Sequence, residues 1–337
     1  MTLYYKPIEY VVSPEEDGLL LKTLLQKRMG VSRKLLSRLK LTEQGIMLNG
    51  ERVYISVRVS TGDLVQLRME QEVSEDILPE PIPFDILYED EHLLVVNKAA
   101  GMIVHPTHGH YTGTLANGIV HYWRELGLAY RFRPVHRLDQ ETSGALAIAK
   151  NPYVHQHISE QMIAGTVDKL YTAFVHGSPP HPSGMLDGPI DRDPLEPHRR
   201  IVTPTGYPAL TKYQVEQQWA AASKVSLKLE SGRTHQIRVH MTHLGCSLIG
   251  DKMYKHRPMA AESPEGIAFD DLDMRIERHA LHASKLALDH PITRVRLVFQ
   301  APLPEDMASL ERYLNSNDQG GAEEGPDKQR NVTGGIS

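Results

Sequence analysis

The chain has 337 residues, 40% of them hydrophobic and 23% charged, enough for one large domain and one small one around a sizeable core. Its single cysteine, Cys246, excludes an internal disulfide framework, no apolar run reaches bilayer length, and the opening MTLYYKPIEY lacks signal-peptide character; a cytoplasmic protein with no membrane partner is expected. The net charge of -5 excludes a uniformly basic nucleic-acid binder, but the charge is segregated: residues 18–42 hold seven Lys and Arg with no acid, and residues 69–97 hold nine Asp and Glu with no Lys or Arg. A local basic face is what phosphates meet.

Residues 1–17 read as a strand or arm and a polar turn. Leu19 to Arg28 has helical character and stops at Gly30, suited to a left-handed cap. Ser32 is placed to cap a second helix through about Leu39, with Leu35, Leu36 and Leu39 inward and Arg33, Lys34, Arg38 and Lys40 outward. Asn49-Gly50 predicts a tight hairpin between Ile46 and Val53, and Leu64 to Met69 a further strand. The acidic stretch 71–83, with Pro79, Pro81 and Pro83, reads as a linker too poor in large apolar residues to pack.

From Ile86 the pattern is strand, hairpin, strand, followed by Asn97 to Pro106 and a helix over Leu115 to Glu125. The stretch RPVHRLDQETSGALAIAK (133–150) puts Asp139 in a turn just before Ala145 to Ala149, an unbroken apolar run expected to be buried on both faces. An Asp in such a turn commonly caps its own backbone, and local composition alone favours that role over chemistry. Asn151-Pro152 starts a helix running to about Ala164. Lys169 to Val175 reads as a strand on which pattern alone makes Tyr171 a core aromatic. Residues 177–208 read as a loop excursion with a cationic stretch at Arg199-Arg200, and Thr211 to Gln218 and Lys224 to Glu230 as strands. Thr234 is expected to cap a helix closing at Gly245, with Ile237, Met241 and Leu244 as its apolar stripe and Arg238 off that stripe, free to face a cleft. Residues 258–273 read as an insertion loop, and the Gly-rich tail from 315 as disordered. His105, His108 and His110, like His235, His240 and His243, lack the spacing or companions of a ligand set, so no metal is expected.

Several of these stretches carry a resemblance. VSRKLLSRLK, GIMLNGERV and TGDLVQL resemble the S-four-type RNA-binding module, although Gly18-Leu19-Leu20 stands where that module commonly has Arg-Leu-Asp. HRLDQETSG resembles the signature of the RluA-type pseudouridine synthases. DILYEDEHLLVVNKAAGMIVHP, KLYTAFV, SGRTHQIRVH with the following GDKMY, and LHASKLALDHP resemble further motifs of that family, with Ala99 in place of a proline and Leu288 in place of an aromatic. The resemblance implies an α+β protein: a small N-terminal α/β RNA-binding module (1–70), the linker (71–83), and a mainly antiparallel mixed-sheet catalytic domain with flanking helices (84–314). It implies Asp139, Tyr171 and Arg238 as the catalytic set, with Arg238 paired to Asp139 so that the carboxylate stays ionised. It further implies His136, Arg137, Arg233, His235 and Leu286 as substrate contacts, and Arg33, Lys34 and Arg38 as RNA-backbone contacts. Isomerising uridine changes no oxidation state and adds nothing, so no cofactor is expected. The implied partner is RNA, large-subunit ribosomal RNA before transfer RNA, and the protein is expected to be a monomer. The competing reading is a catalytically silent RNA-binding or ribosome-assembly protein on the same fold; a glycoside hydrolase would need paired carboxylates, and Asp139 stands alone.

Overall fold

The computed structural model describes residues 3–255 and 264–319. The elements run β1 (Ile8–Val11), α1 (Leu21–Lys27), α2 (Arg33–Leu41), β2 (Ile46–Leu48), β3 (Glu51–Arg52), β4 (Leu64–Leu67), β5 (Asp85–Glu89), β6 (Leu93–Lys98), α3 (Leu115–Glu125), β7 (Ser143–Ala149), α4 (Pro152–Ile163), β8 (Asp168–His176), β9 (Ser183–Asp187), β10 (Ile190–Arg192), β11 (Arg200–Val202), β12 (Leu210–Gln218), β13 (Ala222–Leu229), α5 (Gln236–His243), α6 (Pro264–Asp273), β14 (Leu281–Asp289), β15 (Arg296–Gln300) and α7 (Glu305–Gln319). Among the described residues no helix is long and apolar enough to cross a membrane.

The protein is α+β. Nine strands form one sheet in the order β5-β6-β7-β14-β8-β13-β12-β9, with β15 also on β14. All of its pairings are antiparallel except β7 with β14. Alternation along the central strands explains why they are apolar throughout. Leu93 and Val95 of β6 and Ala145, Ala147 and Ala149 of β7 enter one core. Leu94, Val96, Leu146 and Ile148 enter the other, under α3 and α5. Every residue of β7 is buried, as a strand covered on both faces must be. Gly144 sits where β7 meets β14; its φ is +117°, and a Cβ there would lie 2.3 Å from the carbonyl oxygen of Ala283.

The first strands form a separate sheet, β1-β4-β2-β3. Ser32 caps α2 by accepting from the N–H of Leu35, and Leu35, Leu36 and Leu39 are buried beneath it. Asn49 and Gly50 both take positive φ at the hairpin. This layer is docked rather than tethered: its core is continuous with Tyr153, Val154 and Ile158 of α4 and with Leu286. Tyr153 Oη donates to Met29 O at 2.6 Å, Gln156 Nε2 to Gly30 O at 2.7 Å, and Ser32 N to Gln156 Oε1 at 3.1 Å.

Several expectations need correction. The stretch 71–83 does pack: Ile77 is buried under α3, Ser74 Oγ accepts the N–H of Phe132 at 2.8 Å, and Asn117 Nδ2 donates to Leu78 O at 2.7 Å. One isoleucine and borrowed hydrogen bonds are enough to fix a short acidic segment. The excursion 177–208 contains β9, β10 and β11, since edge strands tolerate the glycines and prolines that suggested a loop. Residues 264–273 are helical rather than loop, while 256–263 lie outside the described residues. The tail is helical as far as Gln319, and from 320 it lies outside the described residues. Thr234 is not the cap of α5; His235 holds that position, in a left-handed conformation with φ 58°.

Candidate active site

Asp139 lies in the turn between Leu138 and β7, where two clefts meet. One, of about 520 Å³, is lined by His136, Arg137, Lys169, Tyr171, Arg233 and Leu281, among others. The second, of about 740 Å³, is lined by Gly101, Gln140, Lys252, Arg275 and Arg278, among others. Asp139, His235 and Arg238 line both. The Asp139 side chain is 22% exposed, so it is neither sealed in the core nor loose on the surface.

Among the described residues the Asp139 carboxylate accepts no hydrogen bond; only its backbone carbonyl serves the turn, taking the N–H of Thr142 at 3.1 Å. Capping, the commoner job for such an Asp, is therefore done without the side chain. The three residues after Asp139 are each pinned, one from β6 and two from the segment that leads into β14. Lys98 Nζ donates to Gln140 O at 2.9 Å and also to Ala99 O and Met102 O, both at 2.8 Å. Arg278 Nη1 donates to Glu141 O at 2.9 Å, and its Nε and Nη2 are held by Asp306 at 2.6 and 3.0 Å. Thr142 Oγ1 lies 2.8 Å from His279 Nε2. Fixing the backbone on one side of a carboxylate in this way sets where its oxygens point.

The electrostatics follow from burial. Lys98 is fully buried, which pushes its pKa down to about 7 against the pull of Glu141 and Asp139. Burial first and Arg238 second push His279 down to about 3. Burial, then Lys169, pushes His136 to about 3 as well, so at neutral pH both rings are uncharged. His136 Nε2 accepts the N–H of Ala147 at 3.3 Å, leaving its Nδ1 buried without a partner. Burial, reinforced by Asp139, raises the pKa of the Tyr171 phenol. Tyr171 is therefore a neutral aromatic wall beside an acid, and its strand partners Ala173 and Val175 share its core.

The expected direct pairing of Arg238 with Asp139 is looser than anticipated. Arg238 Nη1 stands 4.0 Å from Asp139 Oδ2, as does His235 Nε2. The guanidinium fork goes to Asp251 instead, Nε to Oδ2 at 2.6 Å and Nη2 to Oδ1 at 2.9 Å. Burial would raise the Asp251 pKa, but the hydrogen bonds and charge of Arg238 outweigh it and hold the carboxyl below its usual value. A fully buried acid able to take both prongs wins over a half-open one.

The remaining candidates divide. Arg137 is exposed at the cleft mouth, and Arg233 lines the cleft while donating from Nε to Pro208 O at 3.1 Å. Leu286 is not at the site: it is 1% exposed and belongs to the core on the opposite face, whereas Leu281 on the same strand does line the cleft. Arg33, Lys34 and Arg38 are exposed on α2, away from both clefts. Arg38 is also engaged by Glu72, which bonds Arg133 as well. Lys98 and Asp251 were missed as site residues. Both lie in recognised motifs, but the partners that give them their roles are remote in sequence.

Residues 92–243 match the family model for RNA pseudouridylate synthase. An uncharacterised RNA pseudouridine synthase of Bacillus subtilis, YlyB, is 41% identical over 275 residues, 81% of this chain and 86% of that protein. Ribosomal large subunit pseudouridine synthase D of Pseudomonas aeruginosa is 37% identical over 282 residues, 82% of this chain and 85% of that protein. The human RNA pseudouridylate synthase domain containing 4 shares the fold, with a TM-score of 0.55 and 23% identity over 68% of this chain and 93% of that one.

Proposed function

The chain belongs to the RluA-type family of RNA pseudouridine synthases, and from that premise we propose that Asp139 is its catalytic carboxylate and large-subunit ribosomal RNA its substrate. One observation carries the assignment. Asp139 is the carboxylate at the meeting of the two clefts, it accepts no hydrogen bond among the described residues, and the turn behind it is pinned at three successive positions.

The reaction breaks the bond from ribose C1′ to uracil N1, turns the base, joins C1′ to C5, and moves the C5 proton away while N1 gains one. A carboxylate at the anomeric centre assists this by attack or by charge stabilisation. The uridine must leave its helix, at a cost of a few kcal/mol. Stacking of the base on Tyr171 returns roughly 1–3 kcal/mol of this, and Arg137 at the cleft mouth is placed to fill the vacated stack. Arg238, locked by Asp251, keeps a positive charge 4.0 Å from the acid.

In this reading residues 1–70 form an S-four-type RNA-binding module. Arg33 and Lys34 of α2 are its phosphate contacts, which set position without reading bases. Ribosomal RNA is favoured over transfer RNA by the likeness to ribosomal large subunit pseudouridine synthase D. The test is to incubate the protein separately with unmodified large-subunit ribosomal RNA and transfer RNA, then map pseudouridine by reverse-transcription stops. New stops in ribosomal RNA are expected; stops confined to transfer RNA overturn the substrate assignment.

A further inference from the structure

The first residue of α5's frame is strained. His235 takes φ 58° and ψ 20°, and its side chain caps no helix N–H. For a residue other than glycine this conformation costs about 1–2 kcal/mol, and such strain gathers where a side chain must be aimed. Here it aims the imidazole between two groups. Nδ1 lies 2.8 Å from Tyr254 Oη, and Nε2 faces Asp139 Oδ2 at 4.0 Å.

Tyr254 is itself fixed. Its Oη accepts the N–H of Arg200 at 2.8 Å. Its own N–H donates to Asp251 Oδ1 at 3.0 Å. The Arg238 guanidinium lies over its ring at 4.8 Å.

Two neutral tautomers of His235 are then possible, and they differ in what Asp139 meets. With the proton on Nδ1, the ring donates to Tyr254 and turns the Nε2 lone pair toward a carboxylate. With the proton on Nε2, Tyr254 O–H donates to Nδ1 and an N–H faces the carboxylate. An anion favours the second arrangement, and a partner hydrogen bond on one ring nitrogen sets which nitrogen carries the proton. Burial lowers the His235 pKa while Asp139 opposes it; a neutral ring is the form in which this choice matters.

We propose that Tyr254 is a positioning residue that fixes His235 as the Nε2–H tautomer, and that His235 in turn steadies the Asp139 carboxylate. This rests on the assignment of Asp139 as the catalytic acid. Neither residue contributes an atom to the product.

Tyr254→Phe keeps the ring, its packing and the stacked guanidinium, and removes only the hydroxyl. We expect kcat to fall about tenfold to a hundredfold, as for a small misplacement of a reacting group, with KM within about twofold because uniform binding is untouched. Unchanged kcat in Tyr254→Phe beside an inactive Asp139→Asn overturns this inference alone. Full activity in Asp139→Asn overturns the catalytic reading beneath it. Independently of any variant's stability, nitrogen-15 imidazole resonances of the wild-type protein should show His235 protonated at Nε2. Its signal is identified by its loss in His235→Asn, since Asn tolerates the left-handed backbone. A proton on Nδ1 in the wild type contradicts the proposal.

Discussion

Replacing Asp251 by Asn tests the least obvious part of the site, because Asp251 touches neither cleft's centre yet holds what does. Its carboxylate receives four hydrogen bonds: two from Arg238 and the N–H groups of Met253 and Tyr254. The Arg238 side chain is 8% exposed and the Asp251 side chain 0%, so water cannot replace what is lost. Asn retains one acceptor and turns an N–H₂ toward a guanidinium that has only donors. Removing one charge of a buried pair costs about 3–5 kcal/mol; the surviving acceptor places Asn at the low end, about 3 kcal/mol, or roughly a hundredfold in the folding equilibrium. Arg238, released on that side, has Asp139 as its next anion at 4.0 Å. Closing that distance covers the Asp139 oxygens, so on the proposed role of that acid turnover should fall further than stability alone explains. Urea unfolding at neutral pH gives the first quantity, and single-turnover conversion of RNA by the folded variant gives the second. A loss of stability below about 1 kcal/mol together with unchanged turnover would show that the Asp251–Arg238 pair is not what holds the site.

Three further outcomes follow from other contacts. Gly144→Ala forces a Cβ to within 2.3 Å of Ala283 O at a φ of +117°; strain and overpacking together should destabilise by roughly 2–5 kcal/mol in urea unfolding, and a change under about 1 kcal/mol would mean that β7 and β14 can part without penalty. Asp273 accepts from His176, Gly250 N–H and Lys255, which overcome burial and hold its pKa at about 2, below the 3.8 of a free side chain. The unfolded chain then binds the proton first, so stability is fully present above about pH 4, and roughly 2 kcal/mol of it is lost as pH falls through about 2; Asp273→Asn should flatten that slope in acid-dependent unfolding, and an unchanged slope refutes the assignment. Gly30→Ala puts a Cβ 2.6 Å from the ring of His157 at a φ of +65°. It should undock the first layer from α4 and speed proteolysis within 71–83 while leaving the catalytic sheet protected; an unaltered cleavage pattern would show that the docking surface gives way at no cost.

Much of the fold was legible because local signals carry it. Ala145 to Ala149 had to be a strand buried on both faces, and Asn151-Pro152 and Ser32 mark helix starts that the structure keeps. What escaped depends on distant partners. The strands in 177–208 are made by pairing, β9 with β12 and β10 with β11, not by their own composition. His235 rather than Thr234 heads α5, in a left-handed conformation that no helix-capping rule assigns to histidine. At the site, the Asp139, Tyr171, His235 and Arg238 that the sequence singled out line one cleft. The sequence missed that Asp251 takes the fork of Arg238 and leaves Asp139 the looser contact at 4.0 Å, and it placed Leu286 at a cleft that the same strand lines with Leu281. Lys98 ends a buried apolar strand, and only three carbonyls converging on its Nζ reveal a staple behind the Asp139 turn.

The most direct measurement of the central claim is single-turnover conversion of uridine in unmodified RNA by wild-type protein and Asp139→Asn, with RNA affinity measured on the same two samples. The account predicts equal affinity, conversion by the wild type and none by the variant, because the carboxylate does chemistry and holds no part of the fold together. Conversion at the wild-type rate by Asp139→Asn would contradict it.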